Sequence, residues 1–422
     1  MTATTTLALL GGERAITLDQ TEAMKWPLVE QEELDAVAEV AGSGEWSNHP
    51  IRDELEAEFA SYIGVNYALA HNNGTAALHA CAFALGIGPG DEVICPATSY
   101  WATAVPVLTV GAIPVFADVE PVFLNLDPAA AEGRITPRTK AIVVCHRGGM
   151  PCDMDGFTDL AQRYGLKLIE DASHAHGSSF RGRKIGSWGD VAGFSMQTSK
   201  VMPSGEGGLF TTNEKQYYDR AVLLGHYERI GDLDHEDSRF EHTGFGFKYR
   251  ISPIHAAIGR VALAKLDERN ARRNAGIQYL YDQVSEIPGF SVPPMPDHVE
   301  RVYYRSPFMI YDPDELGSLP ADRFTQALQA EGARLGTATR LRHRGGLHTQ
   351  PLFVERKHWA FEHPDNAESA ARVRYGPGTL PITEDPPVNR VSLPRLTQPT
   401  PELLDQYVAA FRKVAANASA LL

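Results

Sequence analysis

KAIVVCHRGGMPCDMDGFTDLAQRYGLKLIEDA, residues 140–172, decides the fold. It opens with a short apolar run, KAIVVCH (140–146), and closes with another, LKLIEDA (166–172). Between them DGFTDLAQRYG (155–165) carries Phe157, Leu160 and Ala161 at helical spacing. Strand, helix and strand in that order predict a right-handed crossover joining two parallel strands. The alternation extends in both directions. GTAALHACAFAL (74–85) predicts a helix ended by Gly86, and DEVICP (91–96) and AIPVFADV (112–119) predict buried strands. GDVAGFSM and GLFTTN add two more. The expected class is therefore α/β, a mostly parallel central sheet with helices on both faces, over residues 1–285. A long helical stretch from Ile254 to Val284 precedes prolines at 288, 293, 294 and 296, which mark a boundary. The remainder, 286–422, mixes strands with helices such as ADRFTQALQAEG (321–332) and PELLDQYVAAFRKVAANA (401–418). It predicts a smaller C-terminal α+β domain.

Bulk properties exclude several functions. A chain of 422 residues with 43% hydrophobic content has ample core material for two domains. The formal net charge of −14, with no long basic run, argues against nucleic acid or an anionic membrane as a partner. No run of 18 apolar residues predicts a membrane span, and MTATTTLALLGG lacks the basic start of a secretory signal. Cys81, Cys95, Cys145 and Cys152 form no C-x-x-C, and three of them sit within apolar runs. They read as reduced core thiols of a cytoplasmic protein.

Ligands of an open parallel sheet bind at the carboxyl ends of its strands. HNNGTAAL (71–78) puts Gly74 and Thr75 at a helix start, where free N–H groups and the helix dipole suit an anion; a plain cap by Asn72 or Asn73 is the simpler alternative. Asp171 ends a strand, where a carboxylate meets a cation or makes a turn. Asp171, His174 and His176 also form a D-x-x-H-x-H that a metal hydrolase would use, although strand alternation sets Asp171 and His174 on opposite faces. In FSMQTSKVMPSGEGG (194–208) one lysine, Lys200, stands between an apolar run and a glycine-rich loop. GIGPGD (86–91) follows a helix and precedes a strand, the wrong order for a dinucleotide fingerprint. An anion site at a helix start, an aromatic after a strand (Tyr100), a carboxylate (Asp171) and an isolated lysine (Lys200) together match the needs of pyridoxal 5'-phosphate. The anion site anchors its phosphate and the aromatic stacks on its ring. The carboxylate keeps the ring nitrogen protonated, and the lysine attaches covalently to its aldehyde.

These residues, with NGTAALHACAFALGIGPGDEVICPA, GAIPVFADVEPVFLNLDP, IEDASHAHG, GDVAGFSMQTSK, GEGGLFTTN and KYRISPIHAAIGRVALAKL, give a chain that resembles the DegT/StrS-type aminotransferases. These are fold type I pyridoxal phosphate enzymes that aminate keto-sugars and keto-cyclitols in antibiotic and cell-surface pathways. The resemblance implies that Lys200 is the cofactor-binding lysine, Asp171 the partner of the pyridine nitrogen, and Gly74, Thr75 and Ser195 ligands of the phosphate. It places Tyr100 on the ring face and His174 at the ring hydroxyl. It also implies a homodimer in which a residue before YR, here Lys248 instead of the commoner Asn, completes the partner's phosphate site.

Two departures bear on substrate choice. CHRGGMP sets Arg147 where many members carry an uncharged or aromatic residue, and Trp101 adjoins the stacking position, where burial preference reads it as core. The opening LALLGGERAI, Trp26-Pro27 and the length resemble the branch that aminates inosose-type cyclitols with L-glutamine. The expected reaction is amino transfer from glutamine or glutamate to a keto-cyclitol or keto-sugar. TRLRHRGGLH (339–348) gathers Arg340, Arg342, His343 and Arg344, suited to a carboxylate or phosphate, or simply a solvated basic loop. A same-fold sugar dehydratase would carry histidine at position 200, where this chain has lysine, and a cofactor-binding regulator would be expected to carry a fused DNA-binding segment, which the sequence does not suggest.

Overall fold

The computed structural model describes residues 6–304, 307–335 and 345–422. The basic cluster at 340–344 lies outside the described residues. The centre is a seven-stranded sheet: β1 (Tyr67–His71), β2 (Glu92–Pro96), β3 (Ile113–Ala117), β4 (Thr139–Cys145), β5 (Lys167–Asp171), β6 (Val191–Ser195) and β7 (Gly208–Thr212). Their order is β1-β7-β6-β5-β4-β2-β3. β7 runs antiparallel to both neighbours, and every other pairing is parallel. Strands β2 and β3 are buried at all five positions, as a sheet covered on both faces requires.

The crossover between β4 and β5 shows how sequence becomes packing. Helix α4 (Met154–Tyr164) starts where the Asp153 side chain accepts the Gly156 N–H, and stops at Gly165, whose φ of 64° is left-handed. Met154, Phe157 and Leu160 are its buried residues, at helical spacing. Truncating Leu160 to alanine should cost about 2–5 kcal/mol. Register follows from β4 and β5 pairing Cys145 with Asp171, so both end at the same sheet edge.

The stretch 254–284 is two helices, α6 (Pro253–Ala264) and α7 (Leu266–Val284), when numbered after α1 (Gln31–Ser43), α2 (Ile51–Ile63), α3 (Gly74–Ala84) and α5 (Lys215–Gly225). The break at Lys265 has a packing reason. Ala256, Ala257, Ala262 and Leu263 of α6 join the core around the sheet. Ile277, Leu280, Tyr281 and Val284 of α7 join a second core. That second core packs α8 (Ala321–Ala330) and α9 (Pro401–Ala416) with a three-stranded antiparallel sheet, β8 (Phe290–Ser291), β9 (Phe308–Tyr311) and β10 (Arg390–Ser392). It also takes Leu7, Ile16 and Ala23 from the N-terminal arm, whereas Leu347, Phe353, Phe361 and Leu380 pack with the first core. No described helix is long and apolar enough to cross a membrane.

Candidate active site

Strands β1, β4, β5 and β6 all end at one edge of the sheet, above which lies a cleft of about 1040 Å³. Gly74, Thr75, Tyr100, Asp171, His174, Ser195 and Lys200 all line it. Lys248 does not. It is exposed, its ammonium 6.0 Å from the Tyr227 ring, in a stretch that also exposes Phe245 and Phe247.

The start of α3 forms one wall. Asn73 caps it by accepting the Ala76 N–H at 2.8 Å, and the Asn73 carbonyl takes the Ala77 N–H. The cap leaves the Gly74 and Thr75 N–H groups with no backbone or side-chain acceptor among the described residues, and both residues line the cleft, where free N–H groups suit an anion. Gly74 is required here, because a Cβ would fall 2.6 Å from the Cβ of Ser195 on β6. That close approach sets the Ser195 hydroxyl beside the helix start.

Asp171 forms the floor and is 4% exposed. Its Oδ2 accepts the Thr103 hydroxyl at 2.6 Å and its Oδ1 the Ser173 N–H at 3.2 Å. No described cation lies within ion-pair distance of it, so a buried carboxylate faces the cleft uncompensated. Its negative field adds to burial in pushing the Cys145 thiol well above its usual range. All four cysteines are buried and unbridged.

Lys200 ends a turn in which its N–H donates to the Gln197 carbonyl at 2.8 Å, while its own carbonyl accepts the Trp26 indole N–H at 3.0 Å. Its ammonium lies 5.0 Å from the Tyr304 ring centre and within ion-pair distance of no described carboxylate. Tyr304 in turn stacks against His174 at 4.4 Å, and its hydroxyl lies 3.0 Å from that of Ser199. His174 Nδ1 accepts the Gly148 N–H at 3.3 Å, which ties the imidazole to the loop after β4.

The metal constellation does not assemble. Among the described residues only Glu30, Glu32 and Glu33 gather potential ligand atoms within 4.8 Å, away from the cleft beside Lys265, with Glu30 and Glu32 exposed and Glu33 buried. His176 is fully buried against Phe194, and burial lowers its pKa to about 3. Trp101 corrects a second expectation. It is 44% exposed, packed 5.0 Å from Tyr100 at the cleft, because the short 3-10 turn Trp101–Thr103 buries Ala102 and Thr103 instead. Sequence reasoning missed Thr103, Arg301 and Tyr304, whose neighbours in sequence carry no distinguishing pattern; they reach the site only through long-range contacts.

Fold and cleft together define an aminotransferase of the α/β type. The chain belongs to the DegT/DnrJ/EryC1/StrS aminotransferase family, whose sequence pattern matches residues 27–393. It is 37% identical to the L-glutamine:scyllo-inosose aminotransferase of Streptomyces griseus, across 97% of this chain and 98% of that protein. Among solved structures it is similar to the aminotransferase of Psychrobacter cryohalolentis, with a TM-score of 0.79 and 29% identity over 94% of this chain and 99% of that one. It is also similar to DesV of S. venezuelae, with a TM-score of 0.74 and 30% identity over 91% and 94%.

Proposed function

We propose that this aminotransferase uses pyridoxal 5'-phosphate to move the amino group of L-glutamine or L-glutamate onto a keto-cyclitol or keto-sugar. The observation that carries the cofactor assignment is one cleft holding three unsatisfied features. They are the free Gly74 and Thr75 N–H groups, the buried Asp171 carboxylate and the Lys200 amine. These features fit the cofactor's phosphate, ring nitrogen and aldehyde. Gly74, Thr75 and Ser195 would hold the phosphate, Tyr100 and His174 the ring, and Lys200 the aldehyde carbon. When bound, pyridoxal phosphate supplies an electron sink that makes the α-proton of an amino acid acidic.

The chain's own groups do the rest. Asp171, held by Thr103 and Ser173, keeps a fixed negative charge where a protonated ring nitrogen belongs. Lys200 would attach to the cofactor's aldehyde and, as a free amine, would be the group that holds and moves the proton of the substrate's α-carbon. His174 is held in orientation by Gly148 N–H and Tyr304.

The substrate assignment is supported by similarity over nearly the whole chain to an enzyme named for L-glutamine and scyllo-inosose. A cytoplasmic role in making an antibiotic or related natural product is part of the same reading. So is a homodimer whose partner contributes Lys248, and a division into a large domain, 1–285, and a small one, 286–422.

The test is direct. Purified protein should be yellow, and borohydride should fix the cofactor to Lys200, detectable by peptide mass spectrometry. Lys200→Ala should abolish turnover. L-glutamine should bleach the visible band, and scyllo-inosose should restore it with nitrogen retained in the product. A colourless protein that takes up no pyridoxal phosphate would overturn the assignment.

A further inference from the structure

Two guanidinium groups line the cleft with no described carboxylate within ion-pair distance. Arg147 follows β4 and lines the cleft, partly exposed. Its backbone N–H donates to Asn125 Oδ1 at 3.0 Å, and its Nη1 donates to the Phe123 carbonyl at 3.0 Å. The other guanidinium donors have no acceptor among the described residues. Arg301 also lines the cleft and is 6% exposed. Its Nε and Nη2 share the carbonyl of Gly148, the residue after Arg147, at 3.4 and 3.2 Å. Its Nη1 is buried with no partner. Its guanidinium lies 5.4 Å from the Phe123 ring and 4.6 Å from the Tyr303 ring.

No described carboxylate is within ion-pair distance of either arginine. Glu120, which does influence Arg147, spends its oxygens on the N–H groups of Val122, Phe123 and Asn125. Burial, joined for Arg147 by the positive charge of Arg301, lowers the pKa of both. Two like charges in one cleft, Arg301 buried and Arg147 partly so, cost free energy that an anion held by both recovers. Arg390, another arginine of the cleft, differs: its guanidinium donates to the carbonyls of Pro121, Val122 and Val388.

We propose that Arg147 and Arg301 form an anion subsite that takes the α-carboxylate of the amino-acid donor. Arg147 offers its free donors to the carboxylate, and Arg301 fixes the Arg147–Gly148 loop while adding its charge. The same Gly148 orients His174 through its N–H, so the subsite and the cofactor-facing imidazole share one loop. The donor is the substrate that always carries a carboxylate, whereas a cyclitol acceptor carries none. The inference rests on the reading of this cleft as a transaminase site with an amino-acid donor.

The experiment compares holoenzyme with Arg147→Gln and Arg301→Gln, both checked for fold by circular dichroism. Calorimetry measures binding of glutaramate, which is glutamine without its amino group, and of glutaramide, in which the carboxylate is an amide. Wild type should bind glutaramate at least about tenfold more tightly than glutaramide, and Arg147→Gln should erase the difference. In the donor half-reaction the preference for L-glutamine over 4-aminobutanamide, its decarboxylated analogue, should collapse in the same variant. If Arg147→Gln retains both preferences, the subsite is refuted even when wild type transaminates glutamine. If it weakens only the half-reaction with scyllo-inosose, the arginines serve the acceptor and the proposal falls. If Arg301→Gln does not fold, Arg147→Gln alone decides. A wild type that transaminates no amino acid overturns the proposed function itself, a distinct failure.

Discussion

The Thr103 hydroxyl donates to Asp171 Oδ2 at 2.6 Å, across 68 residues of sequence and inside the buried floor of the cleft. Ser99 Oγ lies 2.6 Å from the same Thr103 hydroxyl, so the carboxylate is held by a short chain of hydroxyls. Thr103→Val keeps the shape and removes the donor. A hydrogen bond to a charged group contributes about 1.5–3 kcal/mol, so we expect kcat to fall roughly tenfold or more. Cofactor affinity should drop, while Thr103→Ser should recover most of both. An unchanged kcat and cofactor Kd in Thr103→Val would show that Asp171 needs no such support.

Gly74→Ala places a methyl group 2.6 Å from the Ser195 Cβ. The start of α3 and the end of β6 must then separate. Overpacking of this kind costs about 1–3 kcal/mol. The larger expected effect is on pyridoxal phosphate, whose Kd should rise at least about tenfold as the anion cradle opens. Fluorescence titration of apoprotein checks it, and equal affinity in the variant would contradict the cradle.

Stability should depend on pH through buried histidines. His71 is fully buried, its Nδ1 3.0 Å from the Leu69 carbonyl, and burial lowers its pKa from 6.5 to about 4. Burial lowers that of His79 to about 4 as well. A histidine with a depressed pKa is protonated more readily in the unfolded chain. Its neutral packing therefore supports the fold fully above about pH 6.5, and that support is lost as pH falls toward 4. Each such group contributes a slope of up to about 1.4 kcal/mol per pH unit in that window. Urea unfolding at pH 7.5, 6 and 5 should show it, with a shallower slope in His71→Asn. A flat profile in wild type would contradict the neutral assignment.

If Lys248 completes a partner's site, subunits carrying Lys200→Ala and Lys248→Ala should complement. Each is expected to be nearly inactive alone. Random mixing leaves one intact site in half of the dimers, about a quarter of wild-type activity. Activity that never rises above that of the separate variants would place Lys248 outside any shared site.

Much of the fold follows from local pattern. The β4–α4–β5 unit is legible because its apolar residues alternate or recur at helical spacing and because Asp153 and Gly165 punctuate its helix. The places of Lys200 and Asp171 at the cleft are legible because a strand-end carboxylate and a lysine in the loop after a strand fall where an open parallel sheet binds ligands. Strand β1, YALAH, is short and apolar, and only its pairing with β7 makes it a strand. The helical stretch after Pro253 reads as continuous because nothing in its propensities marks Lys265. It breaks because its two halves pack into different cores.

By itself, the sequence determined the class of fold and the gathering of Gly74, Thr75, Asp171, Ser195 and Lys200 at the carboxyl edge of the sheet. Periodicity and residue type are local properties and survive being read in one dimension. Tertiary structure alone decided the exposure of Trp101, the grip of Thr103 on Asp171, the stack of Tyr304 on His174 and the pairing of Arg147 with Arg301. Each depends on residues brought together from distant parts of the chain. Neither hydrogen-bond distance nor the desolvation of a charge exists until the chain has closed around it.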